Sequence, residues 1–153
     1  MRTTLFTLAA TLASFALPHS GRAESPPCAA VLASPSGAAT RTHPRLPWKP
    51  VASSGAIRFG AELRCDEGCT ARLDDGSAVR LEPHAVVVFV EPSFVRLRPE
   101  EAAARAGRVE VHAGGIWVDR PAGAPRPLVV ADERGGMVAV ENGDARFVVT
   151  PDR

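Results

Sequence analysis

CTARLDDGSAVRLEPHAVVVFV, residues 69–90, reads as three consecutive strands. In Ala71–Leu73 and Ala78–Leu81, apolar residues alternate with arginine, the period-2 pattern of strands with one face buried. Asp74-Asp75-Gly76 lies between them, and Asp-Gly accepts the positive φ angles of a two-residue hairpin turn. After the corner Glu82-Pro83-His84, the run Ala85–Val90 is continuously apolar and β-branched, as a central strand requires.

Outward from this stretch the same grammar continues. Strands are predicted at 56–64, 69–73, 78–81, 85–90, 94–97, 108–112, 116–119, 128–131, 137–141 and 145–150, with Gly or Pro in the gaps. This spacing predicts an all-β fold, a twisted antiparallel sandwich or roll of about ten short strands. One short helical turn is predicted at 99–106: Pro99 opens it, Glu100 and Glu101 occupy its first turn, and Gly107 stops it.

The segment Gly55-Ala56-Ile57-Arg58-Phe59-Gly60-Ala61-Glu62-Leu63, followed by the Ala71–Leu81 hairpin with its Asp-Gly-Ser, resembles the FecR family. The later segments Gly115–Asp119, Leu128–Ala131, Met137–Val140 and Arg146–Val149 are similar to that family's closing strands in the same order. The resemblance spans about residues 53–150. It implies a β-rich periplasmic sensory fold acting as a protein-interaction or envelope-sensing module. The family's closing Gly-Thr is replaced here by Asn142-Gly143-Asp144-Ala145, and its signalling role is not implied.

Met1-Arg2 and the apolar run Leu5–Leu17 have the form of a secretory signal, with a cut expected after Ala23. The run is shorter than the ~20 apolar residues that span a bilayer, so no membrane span is expected. The expected address is periplasmic or secreted. Residues 24–52, rich in Pro, Ser, Ala and Gly, read as a flexible tether whose Trp48 packs on the domain edge. The β-domain is expected at 53–150. Cys28 in that tether is a candidate for intermolecular pairing or, by an alternative route, lipidation.

The chain has 18 Lys+Arg and 17 Asp+Glu. Loss of Arg2 and Arg22 with the leader leaves 16 against 17, a net charge of −1 that gives no global attraction for nucleic acid. With two Trp, six Phe and no Tyr, a base-stacking platform is poorly supplied.

Cys65 and Cys69 flank a three-residue turn; in an oxidising compartment they are expected to form a structural disulfide. His43, His84 and His112 show no metal-ligand spacing, so no metal or other cofactor is expected. No nucleophile–base–orienter set can be assembled either, and no catalytic residue is expected. Arg72, Arg80, Arg96 and Arg98 all fall on the polar phase of their strands. Stacked across adjacent strands they would form one basic face for an anionic envelope or extracellular protein partner. A second reading is a small-molecule or glycan pocket between sheets, lined by Trp117 and Phe94.

Overall fold

A computed structural model describes residues 27–150; the predicted leader and its cleavage site lie outside the described residues. The fold is all-β. Its strands are β1 (Cys28–Leu32), β2 (Ala38–Arg41), β3 (Lys49–Pro50), β4 (Ala56–Arg58), β5 (Glu62–Cys65), β6 (Cys69–Arg72), β7 (Ala78–Leu81), β8 (Val86–Val95), β9 (Ala104–Arg120), β10 (Leu128–Asp132), β11 (Met137–Val140) and β12 (Gly143–Val149).

They form one continuous curled sheet that behaves as two half-sheets sharing β9. The first half-sheet runs β3-β2-β5-β8-β9-β10-β11, using β9 residues 104–113. The second runs β4-β1-β6-β7-β9-β12, using β9 residues 114–120. All pairings are antiparallel except β10 with β9, which is parallel. Alternate residues of both halves point inward to one core containing Ile57, Leu63, Val79, Leu81, Val87, Phe89, Val109, Val111, Ile116 and Val118.

The chain crosses between halves at small, specialised corners. Gly60 (φ +76°) turns β4 into β5, and its N–H donates to the Phe89 carbonyl at 2.9 Å. Pro83-His84 turns β7 into β8, with His84 at φ 63°, a left-handed conformation that histidine tolerates better than branched residues. Within β9 the corner is Gly114-Gly115. Gly114 has φ +77°, and a Cβ there would stand 2.9 Å from the Ala85 Cα. Cys65 closes β5 and Cys69 opens β6, so their disulfide, with Cα atoms 5.9 Å apart, clamps a fourth crossing. A loop this short contributes about 2 kcal/mol by chain entropy.

Three expectations are corrected. Residues 28–50 are not a tether: β1, β2 and β3 belong to the sheet, and Ala29, Ala30, Leu32 and Ala38 are buried. Three of these four buried residues are alanine, so a composition poor in large apolar residues does not preclude a core strand. No helix forms at 99–106. The segment is a turn, with Glu101 N–H donating to the Arg98 carbonyl at 3.1 Å, and Ala104–Ala106 pair with Ser93–Val95 of β8. A helix of two turns has too little hydrogen bonding to compete with that pairing. Finally, the β6–β7 turn has three residues rather than two. Leu73 N–H donates to the Ser77 carbonyl (2.9 Å) and Gly76 N–H to the Leu73 carbonyl (3.2 Å), with Gly76 at φ +84° as the bulge residue.

Among the described residues no helix is long and apolar enough to cross a membrane.

Candidate functional site

Strand alternation sends Ala71, Val79, Ile116 and Val118 inward, so their neighbours build the outer face of the second half-sheet. Register places Thr70, Arg80, Trp117 and Arg146 side by side on β6, β7, β9 and β12. The adjacent row is Arg72, Ala78, Asp119 and Asp144. The Trp117 ring, 38% exposed, has the Arg80 guanidinium 5.5 Å and the Arg146 guanidinium 5.7 Å from its centroid. Cation–π contacts at this range are worth roughly 0.5–1 kcal/mol each where solvent-exposed, and they bias both arginine side chains toward the ring.

Arg146 is further held by Glu82, whose Oε1 accepts from its Nε at 2.8 Å and lies 2.7 Å from Nη2. Glu82 reaches across β9 because Gly115 leaves room: a Cβ there would collide with the Glu82 carboxylate. Arg72 and Arg80 are exposed and form no ion pair among the described residues. Together with Trp117, Asp119 and Asp144 they line an open depression of ≈ 410 Å³. The face is therefore dipolar, with free arginines over β6 and β7 and aspartates over β9 and β12.

Two of the four predicted arginines are brought together and two are not. Arg96 and Arg98 sit beyond the end of β8, which belongs to the first half-sheet, and Arg98 pairs with Glu101 at 3.1 Å. Polar phase alone does not reveal which half-sheet a strand joins. Trp117 and Phe94 are likewise not brought together. Phe94 is 74% exposed on the β8 arm, Trp117 stands on an outer face, and the two line no common cavity among the described residues. Arg146 is the residue that sequence reasoning missed; its position on the polar phase of β12 is visible, but the pairing of β12 with β9 is not.

Beneath the face, a buried polar staple fixes the β6–β7 turn to the end of β9. Arg120, 2% exposed, donates Nη1 to Asp75 Oδ2 (3.0 Å) and Ser77 Oγ (3.1 Å), and Nε to the Glu141 carbonyl (3.1 Å). Asp75 Oδ1 also accepts from Ser77 N–H at 2.9 Å. Burial alone would push the Asp75 carboxyl up, but the Ser77 hydrogen bonds and the Arg120 guanidinium hold it below its ordinary value of 3.8. Arg126 grips Asp74 with Nη2 at 2.9 and 3.0 Å from the two carboxylate oxygens.

The outer face of the first half-sheet carries a second cluster. Trp48 lies with the Arg41 guanidinium 4.4 Å and the Arg64 guanidinium 4.8 Å from its ring, so it packs on the domain as expected. Glu62, 7% exposed, bonds Arg41 and lies 3.2 Å from His112 Nδ1. Burial acts to raise the Glu62 pKa; Arg41 and His112 outweigh it and hold the carboxyl below its ordinary 4.5. His112 also sits near two further carboxylates, with Glu133 3.3 Å and Glu110 3.5 Å away. His43 stays exposed and accepts the Arg45 N–H at 3.2 Å. Among the described residues no group of His, Cys, Asp or Glu converges to hold a metal ion.

These two depressed carboxyls contribute to stability in a pH-dependent way. Their contribution is fully present above the unfolded-state values, 3.8 for Asp75 and 4.5 for Glu62, and is lost as pH falls through the lower folded values. Urea midpoints are therefore expected to be flat down to about pH 5 and to fall steeply below 4.5. Asp75→Asn is expected to be less stable at neutral pH and to show a shallower acid decline; an unchanged decline would contradict the staple.

No protein-family model, curated protein or solved structure matches the chain, so its functional reading rests on the geometry of this face.

Proposed function

We propose that this chain is a non-enzymatic, FecR-like domain of the cell envelope that binds a protein partner through the outer face of its second half-sheet. The observation that carries this reading is the row Arg80–Trp117–Arg146 with Arg72 beside it: an exposed tryptophan held between the Arg80 and Arg146 guanidiniums, with Arg72 and Arg80 forming no ion pair among the described residues. Tryptophan and arginine are the residue types that dominate binding energy at protein interfaces. Here the ring already packs against two guanidiniums in the free domain, so less side-chain entropy is lost on docking.

The partner side best suited to this face presents carboxylates to Arg72 and Arg80 and an apolar or aromatic group to Trp117. Charge at its rim would govern association rate and salt sensitivity, and the central ring would govern dissociation. The periplasmic or secreted address is supported by the leader-like N-terminus and by the Cys65–Cys69 disulfide, a bond that persists in oxidising compartments.

The test is crosslinking capture from envelope extracts with wild type, Arg72→Glu/Arg80→Glu and Trp117→Ala. A partner captured by wild type is expected to be lost from the double variant and weakened at least tenfold by Trp117→Ala. Raising salt from 50 to 500 mM is expected to slow association while the complex, once formed, persists longer than in Trp117→Ala. Equal capture by all three proteins would refute the assignment of this face.

A further inference from the structure

The two outer faces of the sheet treat charge differently. On the first half-sheet Arg41 pairs with Glu62, Arg64 with Asp66 (3.4 Å) and Arg108 with Glu110 (2.8 Å). On the second, Arg72, Arg80, Asp119 and Asp144 are all exposed, and none forms an ion pair among the described residues. These four are also sorted by sign. Register aligns Val31, Arg72, Ala78, Asp119 and Asp144 in one row across β1, β6, β7, β9 and β12. Arg72 and Asp119 are therefore two strand spacings apart, roughly 10 Å at the backbone. Ala78 between them is small and forms the floor of the open depression.

The acidic end of the row is unrelieved. Asp119 and Asp144 stand directly opposite each other, an arrangement that costs stability when both are ionised. Arg146 is two residues from Asp144 on the same face of β12, yet Glu82 holds its guanidinium instead, at 2.7 and 2.8 Å. The fold thus keeps a cationic end and an anionic end apart on one face, with Trp117 between them in the neighbouring row.

We propose that this face binds a segment of its protein partner that carries an acidic and a basic side chain on one side, about 10 Å apart. The acid lies over Arg72 and Arg80, and the base lies over Asp119 and Asp144. An apolar group between the two charges covers Ala78 against Trp117, and Val31, 42% exposed, extends the apolar contact beyond Arg72. This rests on the binding face proposed above and adds a basic contact and a direction to it. Turned end for end on the face, the segment would set like charges together, a penalty that fixes its orientation.

NMR titration of the isotopically labelled protein tests this, read at the Trp117 indole N–H. The probes are three tetrapeptides capped at both ends: Glu-Pro-Pro-Lys, Glu-Pro-Pro-Glu and Lys-Pro-Pro-Lys. Polyproline II makes each a ruler, because three residues span about 9 Å and return the end side chains to the same side. Glu-Pro-Pro-Lys is expected to half-saturate at roughly tenfold lower concentration than either like-charged peptide. Asp119→Lys/Asp144→Lys should transfer that preference to Glu-Pro-Pro-Glu, and Arg72→Glu/Arg80→Glu should transfer it to Lys-Pro-Pro-Lys. The substituted positions are exposed, and the amide dispersion in the same spectra confirms that each variant is folded. Preference of the parent for Glu-Pro-Pro-Glu, unchanged by Asp119→Lys/Asp144→Lys, would overturn the inference and leave an arginine face that binds acids alone. Equal responses to the three peptides would overturn it as well. No response of Trp117 to any of them at millimolar concentration would overturn the inference and the proposed binding face together.

Discussion

Replacing Arg120 with methionine is expected to destabilise the domain by about 3–5 kcal/mol, the range for breaking a buried ion pair by removing one partner. The side chains of Arg120 and Asp75 are 1% and 5% exposed, so the orphaned carboxylate has no access to water without opening the turn. Ser77 Oγ and the Glu141 carbonyl lose their donor as well. For a domain of this size the melting temperature should fall by about 10–20 °C. Asp75→Asn in the same chain supplies the control. Because both residues act in one network, the double variant should cost clearly less than the sum of the single variants. Additive losses in chemical denaturation would show that the staple is not a unit.

The second large effect is expected at Gly114. Alanine there must adopt a left-handed backbone, which costs roughly 1–3 kcal/mol, and its Cβ meets backbone atoms of Ala85 that cannot rotate away. Overpacking adds about 1–3 kcal/mol, and the reduced entropy of the unfolded chain returns less than 1 kcal/mol. The net loss expected from urea titration is about 2–4 kcal/mol. Gly60→Ala, where nothing lies within 4 Å of the added Cβ, should show the backbone term alone and lose less. Equal losses at the two positions would mean that the close approach of β9 to Ala85 is not what Gly114 secures.

Both positions explain what could be read from the chain and what could not. β6, β7 and the start of β8 were legible because alternation and turn chemistry agree locally in residues 69–90. β9 reads as two strands in the sequence because its Gly114-Gly115 corner has the composition of a loop, whereas the backbone bends there without leaving the ladder. β1 and β2 are hidden in the sequence because Ala29, Ala30 and Ala38 carry no strong apolar signal, yet all three are buried in the core. Arg120 did leave a trace. It follows Ile116 and Val118 on the buried phase of β9, opposite an aspartate-rich turn, so an arginine in that phase pointed to a buried partner.

The candidate face was half legible. Arg72 and Arg80 lie on strands joined by a local hairpin, so their shared face follows from period 2. Trp117 and Arg146 join them only through long-range pairing of β9 with β7 and β12, which no local pattern encodes. Arg96 and Arg98 show the converse error: they lie past the end of β8, a strand of the first half-sheet, so no strand alternation brings them to this face.

The most direct test of the binding face is site-specific photocrosslinking in envelope extracts, with a benzophenone side chain placed at Thr70 on this face or at Ala39 on the opposite outer face. The account predicts a discrete adduct from Thr70 that disappears when Arg72 and Arg80 are changed to Glu, and none from Ala39. Adducts from Ala39 alone, or a Thr70 adduct indifferent to the loss of both arginines, would contradict it.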